Sequence, residues 1–136
     1  MRLLLDTEVW LWAHFARRQL LPGALASLED PDNERFVSVA TWWEISIKHA
    51  LGKLPLPEPL DAYLPSRLGA TAASLLEIRP AHVIGVAALP HLHRDPFDRL
   101  LISQAHSEGL TLVTADADIA RYEVDVLWAN RRLRQP

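Results

Sequence analysis

Short apolar segments alternate with longer segments of helical pattern along this 136-residue chain, and this alternation constrains the fold more than any other feature. The apolar segments stop at polar residues, glycine or proline, as buried strands do. We predict strands at 3–5, 36–39, 75–78, 111–114 and 124–128. Strands that alternate with helices favour a central parallel sheet of about five strands, covered by helices on both faces. The predicted fold class is therefore α/β.

Proline and glycine mark the ends of several predicted helices. Pro22, Pro80 and Pro96 stand where a first helical residue is expected, and Gly52 follows the end of another helix. The predicted helices cover 9–16, 23–28, 41–51, 60–68, 80–89 and 96–109, with a kink or break at Pro65. Since no linker divides the chain, we expect one domain over 1–128 and a polar tail over 129–136.

The composition excludes several classes of protein. With no cysteine, the chain has no disulfide scaffold, cysteine-bound zinc or thiol nucleophile. No apolar run approaches the roughly 18 residues that cross a bilayer. The N-terminal leucines meet Asp6 too early for a signal peptide, so we expect a cytoplasmic protein. The net charge of −3 argues at first against a surface that wraps nucleic acid.

Four carboxylates are predicted at one edge of the sheet. Asp6 directly follows the first strand, and Asp116 comes shortly after the strand at 111–114. Glu44 and Asp98 lie near the starts of two helices that follow loops or strands. Ligands of open parallel sheets bind outside the carboxyl ends of the strands. These four acids therefore form a candidate site.

Helix capping is the alternative explanation for each of these acids. Thr41 and Glu44 have the spacing of a capping box, and Asp95 and Asp98 fit an N-cap followed by an acid in the first turn. For Asp98, helical phase favours membership of the candidate site over a solvent-exposed capping role. At about 100° per residue, it lies in the middle of an apolar arc that includes Ala105. A buried carboxylate is costly unless it is paired or bound to a metal.

An oxygen-only ligand set favours a hard divalent cation, Mg²⁺ or Mn²⁺. Such ions commonly serve phosphoryl chemistry. The chain has no P-loop pattern and no EF-hand loop, which argues against a nucleotide hydrolase and a calcium site of that type. Its six histidines show no metal-ligand spacing.

Four motifs, in this order, resemble those of the PIN domain, and specifically of VapC-type toxins of prokaryotic type II toxin–antitoxin systems. They are LLLDT at 3–7, WEISIK at 43–48, HRDPFDRLLI at 93–102 and LVTAD at 112–116. The resemblance implies a PIN-like three-layer fold and a Mg²⁺-dependent endoribonuclease that hydrolyses RNA by a metal-activated water, without a protein nucleophile. It also implies a homodimer, an RNA target such as tRNA or rRNA, and inhibition by a small VapB-like antitoxin encoded beside it.

The resemblance assigns roles to individual residues. The acids that would hold the metal, directly or through water, are Asp6, Glu44 and Asp98, with Asp116 completing the catalytic cluster. Thr114 would supply a hydroxyl near these acids. Asp95 would cap its helix and lie close enough to the metal to support the site. Relatives often have histidine at the position of Glu8, which we expect to point to solvent.

Other polar residues are weaker candidates. Arg94, Arg99 and Lys48 could position RNA, with His93 near a phosphate, or could be solvated surface charges. Without the four site acids, 13 acidic residues face 14 basic ones, so the mild acidity does not exclude RNA. Two other functions stay open: a non-catalytic PIN-like scaffold for RNA processing, and a phosphohydrolase acting on another substrate.

Overall fold

The computed structural model describes residues 1–130, and within them five strands form one parallel sheet. The sheet order is β3-β2-β1-β4-β5, so the N-terminal strand lies at its centre. In the register, Leu4 of the central strand pairs with Phe36 on one side and Leu112 on the other. The predicted α/β fold class is confirmed. The strands are β1 (Arg2–Leu5), β2 (Glu34–Ser38), β3 (Ser74–Leu76), β4 (Thr111–Thr114) and β5 (Val126–Trp128).

Within residues 1–130, six α-helices cover the two faces of the sheet, and short 3₁₀ turns occur at Arg17–Gln19 and Ile119–Arg121. Successive side chains of a strand point to opposite faces. Leu3 and Leu5 accordingly pack in one buried cluster and Leu4 in another. The chain thus has the three layers that were predicted. The helices are α1 (Thr7–Phe15), α2 (Pro22–Glu29), α3 (Val39–Ala50), α4 (Leu60–Ala70), α5 (Pro80–Val86) and α6 (Pro96–Glu108).

The start of α3 differs from the prediction. The helix begins at Val39 instead of residue 41, because the Ser38 hydroxyl accepts a hydrogen bond from the Ala40 N–H at 3.0 Å. Thr41 is therefore inside the helix, where its hydroxyl accepts a hydrogen bond from the Thr7 hydroxyl at 3.0 Å. The capping box considered for Thr41 and Glu44 does not form. This leaves the side chain of Glu44 available for another role.

Several other bounds shift by a few residues. Helix α4 continues through Pro65 to Ala70, while β3, β5 and α5 are shorter than predicted. The domain limit at residue 128 stays a prediction, and residues 131–136 of the predicted tail lie outside the described residues. None of the helices within residues 1–130 is long and apolar enough to cross a membrane.

Candidate metal centre

A cleft of about 550 Å³ opens where β1 and β4 end, beside α3 and α6. All four predicted acids line it, together with Asp95 and Glu8. The structure therefore brings together four chain segments that are far apart in sequence. Glu8 is exposed, as expected, but it borders the cleft as well as solvent. The four acids are Asp6, Glu44, Asp98 and Asp116.

Asp6 is held at the end of β1 by two hydrogen bonds. Its Oδ1 accepts from the Thr7 N–H and its Oδ2 from the Thr114 hydroxyl, each at 2.8 Å. Burial raises the pKa of Asp6 to about 7, although both hydrogen bonds act to lower it. The negative charges of Glu44 and Asp116 raise this pKa further. The Asp6 carboxylate therefore lies close to two other carboxylates of the cleft.

The Thr114 hydroxyl joins the ends of two neighbouring strands. It donates to Asp6 and also accepts a hydrogen bond from the Asp116 N–H at 3.0 Å. Thr114 is completely buried, so its hydroxyl cannot exchange these partners for bulk water. The half-buried Asp116 in turn accepts from the Asp118 N–H at 2.8 Å. Thr114 thus fixes the positions of two of the four acids.

Asp98 is the most perturbed acid of the cleft. Its residue is only 8% exposed, and burial together with the nearby carboxylates, chiefly Asp6, raises its pKa to about 9. Its N–H and that of Phe97 donate to Asp95 Oδ1, at 3.1 and 2.9 Å. Asp95 therefore has the predicted capping role while it also lines the cleft.

His93 contacts Asp98, which the sequence did not indicate. Its Nε2 lies 3.2 Å from Asp98 Oδ2, and its Nδ1 lies 2.7 Å from the Tyr122 hydroxyl oxygen. The histidine is turned toward a carboxylate, and Tyr122 comes from a distant part of the chain. The suggestion that His93 could reach a phosphate stays a prediction.

Lys48 pairs with Glu44 on α3. Its Nζ lies 2.8 Å from Glu44 Oε2, and this hydrogen bond is the main reason that the pKa of Lys48 is raised. Glu44 is 9% exposed, and both residues of the pair line the cleft. Lys48 borders the cleft next to Lys53, where an ammonium group could meet a phosphate. Its role in positioning RNA stays a prediction.

Arg99 does not face the cleft, so the suggestion that it positions RNA is wrong. Its guanidinium is buried and donates to the Pro90 carbonyl at 2.8 Å and to the Tyr122 hydroxyl at 2.9 Å. Arg94 is exposed, and it is absent from the residues that line the cleft within the described range 1–130. A role for Arg94 in positioning RNA stays a prediction.

The donor set fits a hard divalent cation in its chemistry. Across residues 1–130, no three histidine, aspartate or glutamate side chains stand close enough to hold an ion in their present positions. Mg²⁺ does not require such a cage, since it is usually bound by one or two carboxylates and keeps several waters. The pKa values of Asp6 and Asp98 are raised because burial and the neighbouring carboxylates disfavour their charged forms. A bound divalent cation would favour those charged forms.

Comparisons with known proteins identify the family. The PIN domain model matches residues 3–125. Ribonuclease VapC16 of Mycobacterium tuberculosis is 42% identical over 57 residues, which are 42% of this chain and 40% of that protein. The matched segment thus spans two fifths of the relative's length.

Solved structures share the fold at low sequence identity. VapBC2 from Rickettsia felis, bound to a promoter DNA fragment, has a TM-score of 0.73 at 18% identity and covers 96% of this chain and 100% of that one. VapBC-1 from nontypeable Haemophilus influenzae has a TM-score of 0.63 at 18% identity, covering 99% and 100%. The predicted resemblance to VapC-type PIN domains is confirmed, and since the family model covers most of its length, this chain belongs to the PIN domain family.

Proposed function

We propose that this chain is a Mg²⁺-dependent endoribonuclease and the toxin of a VapBC-type toxin–antitoxin pair. One observation carries the proposal: four acids from four separate segments converge on one cleft at the carboxyl edge of the sheet. Family membership and the partial match to a ribonuclease support the same activity. Mn²⁺ is expected to substitute for Mg²⁺, because both prefer oxygen ligands.

The four acids would form the cation site of the proposed mechanism. Asp6, Glu44 and Asp98 would hold the cation, directly or through water, and Asp116 would complete the cluster. When bound, Mg²⁺ lowers the pKa of a coordinated water and neutralises charge on the phosphate. Thr114 keeps Asp6 in place through its hydrogen bond to Oδ2. The chain needs no nucleophile of its own for hydrolysis.

The cationic side chains at the cleft would bind the substrate. Lys48 and Lys53 border the carboxylates and would contact phosphates on either side of the scissile bond. Such contacts fix the register of a nucleic acid without selecting its sequence. Only the family resemblance supports tRNA or rRNA as the target class.

Assembly with partners forms part of the proposal. We expect a homodimer and a VapB-like antitoxin, since the similar solved structures include proteins named VapBC. A short upstream frame that overlaps this gene and encodes a DNA-binding protein would support the pairing. Co-expression of that protein should relieve growth inhibition caused by this chain, and light scattering of the purified chain should give twice the monomer mass.

Cleavage of RNA by purified protein tests the activity. Wild type should cut RNA with Mg²⁺ and lose this activity with EDTA. Asp98→Asn should lower the rate at least about 100-fold, which corresponds to about 2.7 kcal/mol of transition-state stabilisation. Asp32→Asn, in an exposed turn away from the cleft, is the matched control and should cut at the wild-type rate.

The alternatives give different results in the same assay. A scaffold would bind RNA and leave it intact with either metal. A phosphohydrolase of another class would hydrolyse a small phosphodiester but not RNA. Equal RNA cleavage by wild type and Asp98→Asn would refute the proposed centre.

A further inference from the structure

A buried chain of polar groups ends on the proposed metal ligand Asp98. The Arg99 guanidinium donates to the Tyr122 hydroxyl at 2.9 Å, and Tyr122 lies 2.7 Å from His93 Nδ1. His93 Nε2 then lies 3.2 Å from Asp98 Oδ2. Tyr122 is only 4% exposed, and His93 is largely buried. These three residues lie behind the cleft and do not border it.

The donors and acceptors of this chain fix where each proton lies. Arginine has donors only, so Tyr122 must accept from Arg99. The phenolic hydrogen then needs an acceptor, because an unpaired buried donor costs about 1–3 kcal/mol. His93 Nδ1 is the acceptor within reach. A neutral histidine that accepts at Nδ1 carries its proton on Nε2, which faces Asp98 Oδ2.

Arg99 is itself held firmly. Its Nη1 donates to the Pro90 carbonyl at 2.8 Å, and its Nη2 donates to the Val86 carbonyl at 3.3 Å. Tyr122 ends the 3₁₀ turn at Ile119–Arg121, in the segment that follows Asp116. The polar chain therefore connects α6 to the segment that carries another acid of the cleft.

We propose that Arg99, Tyr122 and His93 are positioning residues. Arg99 and Tyr122 hold His93 in its Nε2–H tautomer, and His93 in turn orients Asp98. His93 engages Oδ2, and no hydrogen bond within residues 1–130 engages Oδ1. Oδ1 is therefore the oxygen left for the divalent cation. Partners that orient metal ligands in this way typically change metal affinity or activity about 10–100-fold when removed. The inference rests on the proposed function, since it takes Asp98 as a metal ligand.

Nitrogen-15 NMR of the histidine rings tests the tautomer in the wild-type protein. Long-range ring correlations distinguish Nε2–H from Nδ1–H, and the spectrum of His93→Gln assigns the signals of His93 by their loss. We expect Nε2–H in the metal-free protein. The Nδ1–H tautomer or a mixture of both would overturn the proposal without requiring any variant to fold.

Calorimetric titration with Mn²⁺ tests the consequence for the metal. His93→Ala should weaken binding about 10–100-fold, and Tyr122→Phe should weaken it less while abolishing the tautomer preference. His93→Gln keeps an N–H donor of similar reach and should restore most of the affinity lost in His93→Ala. His91→Ala changes an exposed histidine of the same loop and should bind as wild type does.

The outcomes separate the inference from the proposed function. If wild type binds Mn²⁺ and a folded Tyr122→Phe keeps both the tautomer and the affinity, the inference is wrong and the metal centre stands. If wild type binds no Mn²⁺, the proposed function fails and the inference fails with it.

Discussion

Replacing Asp98 with asparagine should stabilise the metal-free protein. The buried carboxyl has its pKa raised from 3.8 to about 9, so folding at pH 7 requires uptake of a proton. That uptake costs about 1.4 kcal/mol for each pH unit between 3.8 and 7, or about 4 kcal/mol. At pH 7 wild type buries a neutral carboxyl and the variant a neutral amide, so these two burial costs largely offset each other. Asp98→Asn should therefore raise the free energy of unfolding by up to about 4 kcal/mol.

The pH dependence of this gain follows from the direction of the shift. Between pH 4 and 9 the folded protein binds more protons at Asp98 than the unfolded chain does, so wild-type stability falls as pH rises. Below about pH 4 both states carry the protonated carboxyl, and the pKa shift then no longer contributes to the difference between wild type and variant. The advantage of Asp98→Asn should grow from there toward pH 9.

Urea unfolding in EDTA and in Mg²⁺ measures the effect. In EDTA at pH 7 the variant should be the more stable protein. Saturating Mg²⁺, at about 100 times its Kd, should add about 2.7 kcal/mol to wild type and far less to the variant, which narrows the difference between them. The exposed Asp32→Asn should follow wild type in both buffers. A variant less stable than wild type in EDTA at pH 7, or equal stabilisation of both by Mg²⁺, would refute the reasoning.

Two further predictions concern Lys48 and Gly85. Lys48→Met should tighten Mn²⁺ binding severalfold in calorimetry, because its ammonium no longer competes for Glu44 at 2.8 Å; unchanged or weaker binding would contradict this. Gly85→Ala should lower the free energy of unfolding by about 1–3 kcal/mol, because the new methyl would lie 2.5 Å from the Ser103 hydroxyl. Gly23→Ala is the control, because no atom lies within 4 Å of its new methyl, and it should leave the free energy of unfolding unchanged or raise it in the same urea assay. Equal losses of unfolding free energy in both variants would rule out the steric cause.

The sequence predicted those features of the fold that follow from local pattern. Alternation of strands and helices indicated the parallel sheet, and helical phase indicated that Asp98 faces inward, where it is 8% exposed. The start of α3 was missed because Ser38 and Thr41 are both capable caps. Which of the two caps the helix depends on the residue at which β2 ends, and pairing with the neighbouring strand extends β2 to Ser38.

The environment of Arg99 and His93 could not be predicted from the sequence. Arg99 is an arginine in the first turn of a helix, a position that is usually exposed, and its carbonyl partners belong to the segment before the helix. His93 meets Tyr122 from 29 positions further along the chain. No periodicity relates these residues, because their contacts depend on how the segments on either side of α6 pack.

The hydrogen bond from Thr114 to Asp6 joins residues 108 positions apart. During synthesis, Asp6 leaves the ribosome early, whereas β4 must emerge and pair with β1 before the proposed centre is complete. A chain interrupted before residue 111 lacks Thr114 and Asp116 altogether. For the proposed ribonuclease, this order of assembly keeps the metal centre incomplete until β4 has been synthesised and has paired with β1.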